Sequence, residues 1–426
     1  FGSSLKPKAA ANKLSWCRPP AMLRSLLLCA LAPRVTGHGY MTEPPSRTGA
    51  TLEQSDACPY GCSLWFNQGC TIGCKECGGV KTGFGRACSD SKQKPTIPKD
   101  FQTYNNCGEG AYNPWCAPGS AGVMDPCGVA GGDQVQGAAG NGGDSPPGYA
   151  LGHRGSALPP LKGIKPPVWK VGDAVDVAWA IVANHGGGYQ YRLCPRNSTL
   201  TEECFQTTPL EFLGDESYIQ YCTYQYPQGS PVPLYPSKEW NQSTPANFPP
   251  EKVYNKRCDR TNRTTIPAKR LRAGTQPKGS TWTRNPIPGC KAPTGGSFNW
   301  GCLVSSIPGK YPPVPASAYQ FPPPGKDLSR PGLLLGGFGI GACFGCNQRV
   351  NPKDCNIYGK RYKNNCSVDE TAAQTLQWSV VDKVRVPQVP PGDYVVSFRW
   401  DAEQTPQVWT SCSDVRIEAA RREVVV

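Results

Sequence analysis

The most regular alternation of apolar and polar positions along the chain lies between residues 168 and 195. Its first half places an apolar residue at every second position: Val175, Val177, Trp179 and Ile181. A glycine-rich segment interrupts the pattern, which resumes at Tyr189, Tyr191 and Leu193. A period of two is typical of strands with one buried face. The segment is therefore predicted to form a strand, a loop that carries His185, and a second strand.

Two further strands are indicated near the C-terminus. The longer one follows the turn-forming residues 390–393 and alternates through Tyr394, Val396, Phe398 and Trp400. The shorter one covers residues 376–380. Short strands, Gly/Pro turns and few helical segments favour an antiparallel arrangement. We expect an all-β fold, an immunoglobulin/fibronectin III-like antiparallel β-sandwich with long disulfide-stapled loops.

Two long segments lack a regular pattern. Residues 58–127 are dense in cysteine and glycine, which indicates stapled loops around short turns. Residues 225–335 are rich in Pro, Gly and polar residues, as in a linker between domains or in long loops. Loops tied to one body are favoured by three cysteines in that segment: Cys258, Cys290 and Cys302. Residues 38–417 are thus predicted to form one domain with long insertions at about 225–335, and residues 418–426 a short tail.

Composition narrows the class of protein. The 426 residues include 48 Gly and 45 Pro, too many for a helical bundle. A hydrophobic content of 38% with 11 Trp can build a sizeable core and argues against disorder throughout. The 22 cysteines indicate an oxidising compartment, because the cytosol keeps thiols reduced. Cys-x-x-Cys pairs at residues 74–77 and 343–346 match zinc half-sites, but disulfides are favoured in a secreted chain.

The N-terminal region predicts a removable leader. Met22 is the first methionine, and an arginine and a short apolar run at residues 26–32 follow it. The run is too short to span a bilayer and is typical of a signal peptide at residues 22–37, with residues 1–21 an upstream extension. The alternative is a buried N-terminal helix. Cleavage after Gly37 would make His38 the first residue of the mature protein.

Removal of residues 1–37 changes the cysteine count and the charge. That segment carries two cysteines and six basic residues with no acid, so twenty cysteines and a net charge of +8 instead of +14 remain. An even number of cysteines suits a disulfide framework. Four Asn-x-Ser/Thr sequons fit passage through a secretory pathway: Asn197, Asn241, Asn262 and Asn365. We expect a secreted, extracellular protein without a membrane or nucleic-acid partner.

Three histidines limit the metal chemistry: His38, His153 and His185. All three would have to converge for a zinc hydrolase site, and the sequence has neither a G-x-S-x-G elbow nor a phosphate-binding glycine loop. The sequence does not exclude the paired carboxylates of a glycosidase, because the distance between them depends on the fold and not on their separation in sequence. An N-terminal histidine can bind one metal through its amine and imidazole, and a second imidazole completes a site suited to copper. The alternative is that His38 reaches the terminus by chance.

Three segments resemble the eukaryotic branch of the lytic polysaccharide monooxygenases, copper enzymes also described as chitin-binding type-4 domains. The first is HGYM at residues 38–41, followed by PPSR at residues 44–47. The second is NHGG at residues 184–187, with YRLCP at residues 191–195. The third is QVWTSCSD at residues 407–414, similar to the family's Gln-x-aromatic-x-x-Cys block. The segments occur in the family's order and span nearly the whole chain after residue 37.

The resemblance implies a copper site at which His38, through its amine and side chain, and His185 are the ligands. It places Ala183 beside the copper as a small residue, and Gln407 as a donor that orients bound oxygen. Trp409 takes the axial position, where the family usually has Tyr or Phe. This departure puts the axial geometry in question, and the alternative is a core tryptophan.

Three aromatic residues are candidates for stacking on sugar rings: Tyr40, Trp65 and Phe66. The alternative for Trp65 and Phe66 is packing beneath a disulfide. The sequence leaves two interpretations of His153 open. In the first it belongs to the site, either behind the copper ligands or in contact with substrate. In the second it is an exposed loop histidine.

The resemblance implies a secreted, monomeric copper monooxygenase that cleaves glycosidic bonds in an insoluble polysaccharide, such as chitin, cellulose or another cell-wall glycan. It would need one copper ion, O2 or H2O2 as co-substrate, and an external electron donor. The alternatives are a polysaccharide-binding module without redox chemistry, a copper-storage or delivery protein with the same two histidines, and a cysteine-rich wall protein without metal.

Overall fold

The computed structural model describes residues 38–49, 65–74, 77, 95–102, 107, 113–133, 145–146, 148–183, 185–225, 255–286, 376–403 and 405–420. The predicted leader at residues 1–37 lies outside this range, as do residues 421–426 of the predicted tail. The strands, numbered in chain order, are β1 His38–Glu43, β2 Trp65–Gln68, β3 Val129–Ala130, β4 Val168–Lys170, β5 Ala174–Ala183, β6 Gly188–Pro195, β7 Glu211–Phe212, β8 Glu216–Gln225, β9 Asn255–Pro267, β10 Arg270–Leu271, β11 Trp282–Arg284, β12 Leu376–Arg385, β13 Gly392–Asp401 and β14 Gln407–Glu418. A short helix, α1, covers Glu202–Gln206.

The strands form two sheets with a shared core between them. The first sheet has the order β1–β5–β12–β8–β9, and β7 also pairs with β12. The second has the order β10–β11–β6–β13–β14–β2–β3, and β4 also pairs with β14. The pairing of β4 with β14 is parallel, and the other strand pairs are antiparallel. The expectation of an all-β antiparallel sandwich is confirmed. Across the described residues, no helix is long and apolar enough to cross a membrane.

The core joins the inward faces of both sheets. From the first sheet come Trp179 and Ile181 of β5, and from the second Tyr189 of β6 and Trp400 of β13. All four are at most 4% exposed. Burial of a large apolar side chain contributes about 1.5 to 3 kcal/mol, so this interface is the main stabilising feature of the sandwich. The alternation in the sequence therefore identified the core face of β5, β6 and β13.

The predicted strands near residues 174–195 and 394–400 are confirmed, and β12 is longer than predicted. The sequence pattern of β12 is broken by Asp382, which is 0% exposed and faces the core. Its carboxylate accepts hydrogen bonds from Tyr189 Oη at 2.7 Å and Ser217 Oγ at 2.6 Å. These partners offset the cost of burying a charge inside the sandwich.

The expectation of loops throughout residues 225–335 is wrong for residues 255–284, which contain β9, β10 and β11. β9 consists largely of Thr, Arg, Lys and Asn, so its sequence shows no apolar alternation. Threonine is β-branched and suits an extended chain, while Ile266 of this strand enters the core. Residues 226–254 and 287–335 lie outside the described range.

Disulfides tie loops to the sandwich, as the cysteine count predicted. Cys127–Cys412 links the turn before β3 to β14 across 285 residues of sequence. Short loops are closed by Cys70–Cys77, Cys107–Cys116 and Cys194–Cys204. Cys74 is also disulfide-bonded, so the pair at residues 74–77 consists of oxidised cysteines rather than zinc ligands. The pair at residues 343–346 lies outside the described range.

A buried ionic network fastens helix α1 to β6 and β13. Arg399 Nη1 donates to Glu202 Oε1 at 2.7 Å, and Arg399 Nε donates to Asp401 Oδ1 at 2.7 Å. Arg192 pairs with Glu202 as well, and the N–H of Gly119 donates to Asp401 Oδ2 at 2.8 Å. Burial alone would raise the pKa of Glu202, but the two arginines outweigh it and hold that pKa below its ordinary value.

Candidate functional site

The register of β1 on β5 brings the first two sequence segments side by side. His38 pairs with Ala183 and Gly39 pairs with Ile181, with an irregularity in the ladder between the two pairs. His185 follows Ala183 by two residues, just beyond the end of β5. The backbone of His38 therefore lies next to the segment that carries His185. The side chains of His38 and Ala183 are outside the described part of the structure.

The loop that carries His185 turns through two glycines. Gly186 and Gly187 have φ angles of 65° and 80°, in the left-handed region that other residues rarely adopt. A Cβ atom on Gly187 would lie 2.0 Å from the carbonyl oxygen of Asp401, so space also requires glycine there. The two glycines thus let the chain turn tightly against the end of β13.

Hydrogen bonds hold this loop on two sides. The N–H of Glu403 donates to the carbonyl of His185 at 3.1 Å, and the N–H of Gly187 donates to Glu403 Oε2 at 3.3 Å. Asn285 donates its N–H to the carbonyl of Gly187 at 2.7 Å and its Nδ2 to that of Gly186 at 3.3 Å. His185 is 2% exposed. Its imidazole is therefore buried on a loop with a well-defined position, as a metal ligand requires.

Opposite charges lie beside this loop. Burial lowers the pKa of the Arg284 guanidinium, and the negative charge of Glu403 is the main opposing influence. Arg284 ends β11, and its backbone pairs with Gly188 at the start of β6. The surroundings of the His185 loop thus include a buried carboxylate and a partly buried guanidinium of opposite charge.

The third segment begins at the end of the second sheet that lies next to the His185 loop. Gln407 pairs with Gln68 at the end of β2, and Asp401 pairs with both Val408 and the first residue of β6. Gln407 Nε2 donates to Gln68 Oε1 at 2.7 Å, and Gln407 Oε1 accepts from Thr405 Oγ1 at 3.0 Å. Gln407 is 3% exposed. Its amide is therefore oriented by two hydrogen bonds at the strand ends that border the His185 loop.

Trp409 is fully buried within the core. Its ring stacks on Phe66, with centroids 4.3 Å apart and planes at 14°, and lies 6.4 Å from Trp400. This packing agrees with the core-tryptophan alternative. Because Trp409 shares a face of β14 with Gln407, two residues earlier, it also lies near the candidate site. Its axial role stays a prediction.

Other residues of the first and third segments anchor β1 and the turn after it to β14. The N–H of Met41 donates to Ser411 Oγ at 2.8 Å. Arg47 donates to both carboxylate oxygens of Asp414, Nε at 2.9 Å and Nη2 at 2.7 Å. The N–H of Arg47 also donates to the carbonyl of Cys412 at 2.7 Å. These contacts give the two segments a structural role besides any catalytic one.

The aromatic residues expected to stack on sugars are buried: Tyr40 is 7% exposed, Trp65 3% and Phe66 0%. A buried ring presents no face to a polysaccharide. For Trp65 and Phe66 the packing alternative therefore agrees with the structure, in which Phe66 stacks on Trp409. The sugar-stacking role predicted for these residues has no support from this arrangement.

A partly exposed aromatic cluster lies instead at the edge of the second sheet. Tyr149, 39% exposed, has its ring centroid 5.0 Å from that of Trp65 and 5.1 Å from that of His153. His153 is exposed, and its carbonyl accepts from the N–H of Ala130 at 2.9 Å. His153 therefore matches the loop-histidine alternative. Sequence reasoning missed Tyr149, for which the preceding turn-forming residues were the available signal.

Trp400 contacts both histidine segments. The sequence predicted this residue only as part of the buried face of a strand. Its Nε1 donates to the carbonyl of Gly186 at 2.7 Å. A Cβ atom on Gly39 would lie 2.8 Å from Cε3 and from Cζ3 of the same indole. Which loops reach the end of β13 depends on sheet order, so the local sequence carried no signal for these contacts.

Comparison with models of protein families and with curated proteins finds no match. The resemblance to a family therefore rests on the three sequence segments. Within the described ranges, no group of three or more His, Cys, Asp or Glu residues is arranged to hold a metal. A site of two histidines and a terminal amine contains fewer such side chains than that.

The residues at the site fit copper by the chemistry of their donors. His185 offers a buried imidazole, and the strand register sets residue 38 beside its loop. Nitrogen ligands with open positions suit copper in both of its common oxidation states. His38 and His185 are thus the residues that would hold the metal.

Proposed function

We propose that this protein is a secreted, monomeric copper monooxygenase that cleaves glycosidic bonds in an insoluble polysaccharide, with copper bound by His38 and His185. The pairing of His38 with Ala183 supports the proposal most directly, since it sets residue 38 beside the His185 loop. Copper bound there supplies the redox chemistry that activates O2 or H2O2 with an external reductant. Removal of residues 1–37 frees the α-amine of His38 as a further ligand.

The protein's own residues contribute position and orientation. Glu403 holds the His185 loop through backbone and carboxylate contacts. Gln407 presents an amide whose orientation is set by Gln68 and by Thr405. Such second-layer contacts keep reacting groups within the narrow range of geometries that chemistry requires. Contact with the glycan is proposed for the exposed ring of Tyr149, since sugars stack on aromatic faces.

A copper titration tests the proposal. The protein processed to His38 should bind one copper ion and give a paramagnetic spectrum with several nitrogen ligands. Three altered proteins each lack one ligand: the protein that retains residues 1–37, the His38→Ala variant and the His185→Ala variant. Each should bind copper at least about 100-fold more weakly. His153→Ala is the matched control, since it removes an exposed histidine whose ring lies beside those of Tyr149 and Trp65. Equal affinity for His38→Ala and the processed wild type would contradict the proposal.

Acidification gives a second test of the ligand set. Imidazole and amine donors must be deprotonated to bind a metal, so protons compete with copper for the amine below a pH of about 8 and for the imidazoles below about 6.5. Copper affinity should therefore decrease steadily between about pH 7 and pH 5. A constant affinity across that range would indicate ligands other than His38 and His185.

A polysaccharide-binding module without redox chemistry is the second candidate, favoured by Trp409. An indole has no hydroxyl to approach a metal, and this ring is committed to the stack on Phe66. Incubation of chitin, cellulose and other cell-wall glycans with protein, copper and reductant separates the two candidates. Oxidised oligosaccharides support the monooxygenase. Binding without oxidised products supports the module.

A further inference from the structure

We propose that Trp400 is a positioning residue that holds the two copper-binding segments in one arrangement. This inference rests on the proposed function, because it concerns the segments that begin with His38 and carry His185. Trp400 lies next to the end of β13, is 0% exposed, and belongs to the core between the sheets. A single rigid side chain thus reaches from the core to both segments.

The first contact is with β1. The backbone of Gly39 lies so close to the indole that an added Cβ atom would be 2.8 Å from Cε3 and Cζ3 of Trp400. Side-chain carbons essentially never approach each other so closely. The close approach of the ring therefore requires glycine at position 39. The ring also sets the distance between Gly39, which directly follows His38, and the second sheet.

The second contact is with the loop. Trp400 Nε1 donates to the carbonyl of Gly186 at 2.7 Å, a short hydrogen bond for a neutral donor. Gly186 directly follows His185. Because the indole N–H is a single, fixed donor, it determines the position of this carbonyl relative to β13. Opposite edges of the indole therefore contact the two segments, and the width of the ring sets the distance between them.

The indole itself is immobilised by its neighbours. Trp179 of β5 lies 5.2 Å away between ring centroids, and Trp409 lies 6.4 Å away. Buried side chains in close-packed cores occupy one rotamer, so a shift of Trp400 would move both contacts together. This coupling distinguishes a positioning residue from an ordinary core tryptophan.

Trp400→Phe tests the inference, because it keeps an aromatic ring and removes the N–H donor. We expect copper affinity to fall about 10- to 100-fold and the paramagnetic spectrum of the bound copper to change. In copper-free protein, the amide hydrogens of residues 185–188 should exchange faster. Trp169→Phe is the matched control, since Trp169 is also buried in the core but pairs with Ile417 near the opposite end of β14.

Gly39→Ala tests the same contact from the other side and leaves Trp400 intact. Its new Cβ atom should push β1 away from the indole, so the spectrum of bound copper should change in a folded protein. This variant keeps the inference testable if Trp400→Phe does not fold.

The outcomes separate the inference from the proposed function. Wild-type protein that binds no copper overturns the function, while amide exchange in the copper-free variants still decides the role of Trp400. Copper binding by the wild type, with Trp400→Phe equal to Trp169→Phe in affinity, spectrum and exchange, overturns the positioning role alone.

We infer independently that Asn197 is a site of N-linked glycosylation. Asn197, Ser198 and Thr199 are exposed in a turn after β6, so the sequon is presented on the surface. The Cys194–Cys204 disulfide closes the same loop, which indicates folding in an oxidising compartment, where such glycans are attached. β6 spans about 23 Å, so Asn197 lies at the opposite end of this strand from the His185 loop.

Site-resolved mass spectrometry of the full chain expressed in a eukaryotic secretory host tests this inference. The peptide that contains Asn197 should carry a glycan in the wild type. Thr199→Ala, which destroys the sequon, should abolish it, whereas Ser198→Ala, at the tolerant middle position, should retain it. An unmodified Asn197 peptide from wild-type protein overturns the inference, whichever other sequons are occupied.

Discussion

Replacement of Arg399 by methionine removes the cation at the centre of the buried ionic network. The guanidinium donates to both oxygens of Asp401, at 2.7 and 3.2 Å, to Glu202 at 2.7 Å and to the carbonyl of Ala121 at 2.8 Å. Methionine is unbranched and of similar length, so it fills the space without these bonds. Asp401, 0% exposed, then stays charged in the interior with the N–H of Gly119 as a remaining donor.

The expected loss of stability follows from the groups left behind. Breaking a buried ion pair by removing one partner costs about 3 to 5 kcal/mol, because the remaining charge stays desolvated. Four hydrogen bonds to or from charged groups, at about 1.5 kcal/mol each, give about 6 kcal/mol, and Arg192 still neutralises part of Glu202. We therefore expect the free energy of unfolding to fall by about 3 to 5 kcal/mol near neutral pH.

The effect should depend on pH in a defined direction. The pKa of Glu202 in the folded protein lies below its ordinary value, so its stabilising contribution is complete above the ordinary pKa. That contribution is lost as the pH falls through the lowered pKa, when the carboxylate takes up a proton. The difference between wild type and Arg399→Met should therefore be largest near neutrality and smaller in acid.

Urea unfolding monitored by tryptophan fluorescence measures this difference at about pH 7 and about pH 3. Arg416→Met is the matched control, because Arg416 pairs with Asp393 on the surface, with 59% and 50% of the two side chains exposed. Such exposed pairs contribute at most about 1 kcal/mol. If Arg399→Met costs no more than Arg416→Met, or costs more in acid than at neutrality, the reasoning about the network is refuted.

Three further predictions follow from single contacts. Tyr149→Ala should reduce binding to the polysaccharide substrate several-fold in a pull-down assay and leave copper affinity unchanged; equal binding would exclude this ring from the glycan contact. Gly187→Ala should destabilise the protein by about 1 to 2 kcal/mol or more in thermal unfolding, since φ is +80° and the new Cβ meets the carbonyl of Asp401; an unchanged melting temperature would contradict the loop geometry. Replacing both Cys127 and Cys412 by Ala should cost about 2 to 5 kcal/mol in urea unfolding, because this disulfide spans 285 residues; wild-type stability would show that the bridge does not constrain the unfolded chain.

The sequence identified strands where one face is apolar and missed those where it is not. β5, β6 and β13 carry large apolar residues at every second position, and each forms as predicted. β9 was not predicted, because most of its residues are polar. This strand is recognisable mainly by its pairing with β8. A period of two can be read only from residues whose polarity differs between the faces.

The candidate site divides in the same way. His38, His185 and Gln407 were selected from the sequence, because residue type and segment order are visible there. Trp400 was not, since its role depends on two contacts from different parts of the chain. Exposure was equally hidden: Trp65 is covered, and Tyr149 beside it is not.

Local chemistry alone therefore determined that this is an oxidised, all-β chain with a glycine-turned histidine loop, because alternation, turn residues and cysteine content act over a few neighbouring positions. The tertiary structure decided that β1 lies beside β5, that β2 lies beside β14, and that one indole bridges the two histidine segments. Strand neighbours are selected by packing between residues far apart in sequence, here up to 370 residues for Met41 and Ser411, and no short segment encodes such a contact.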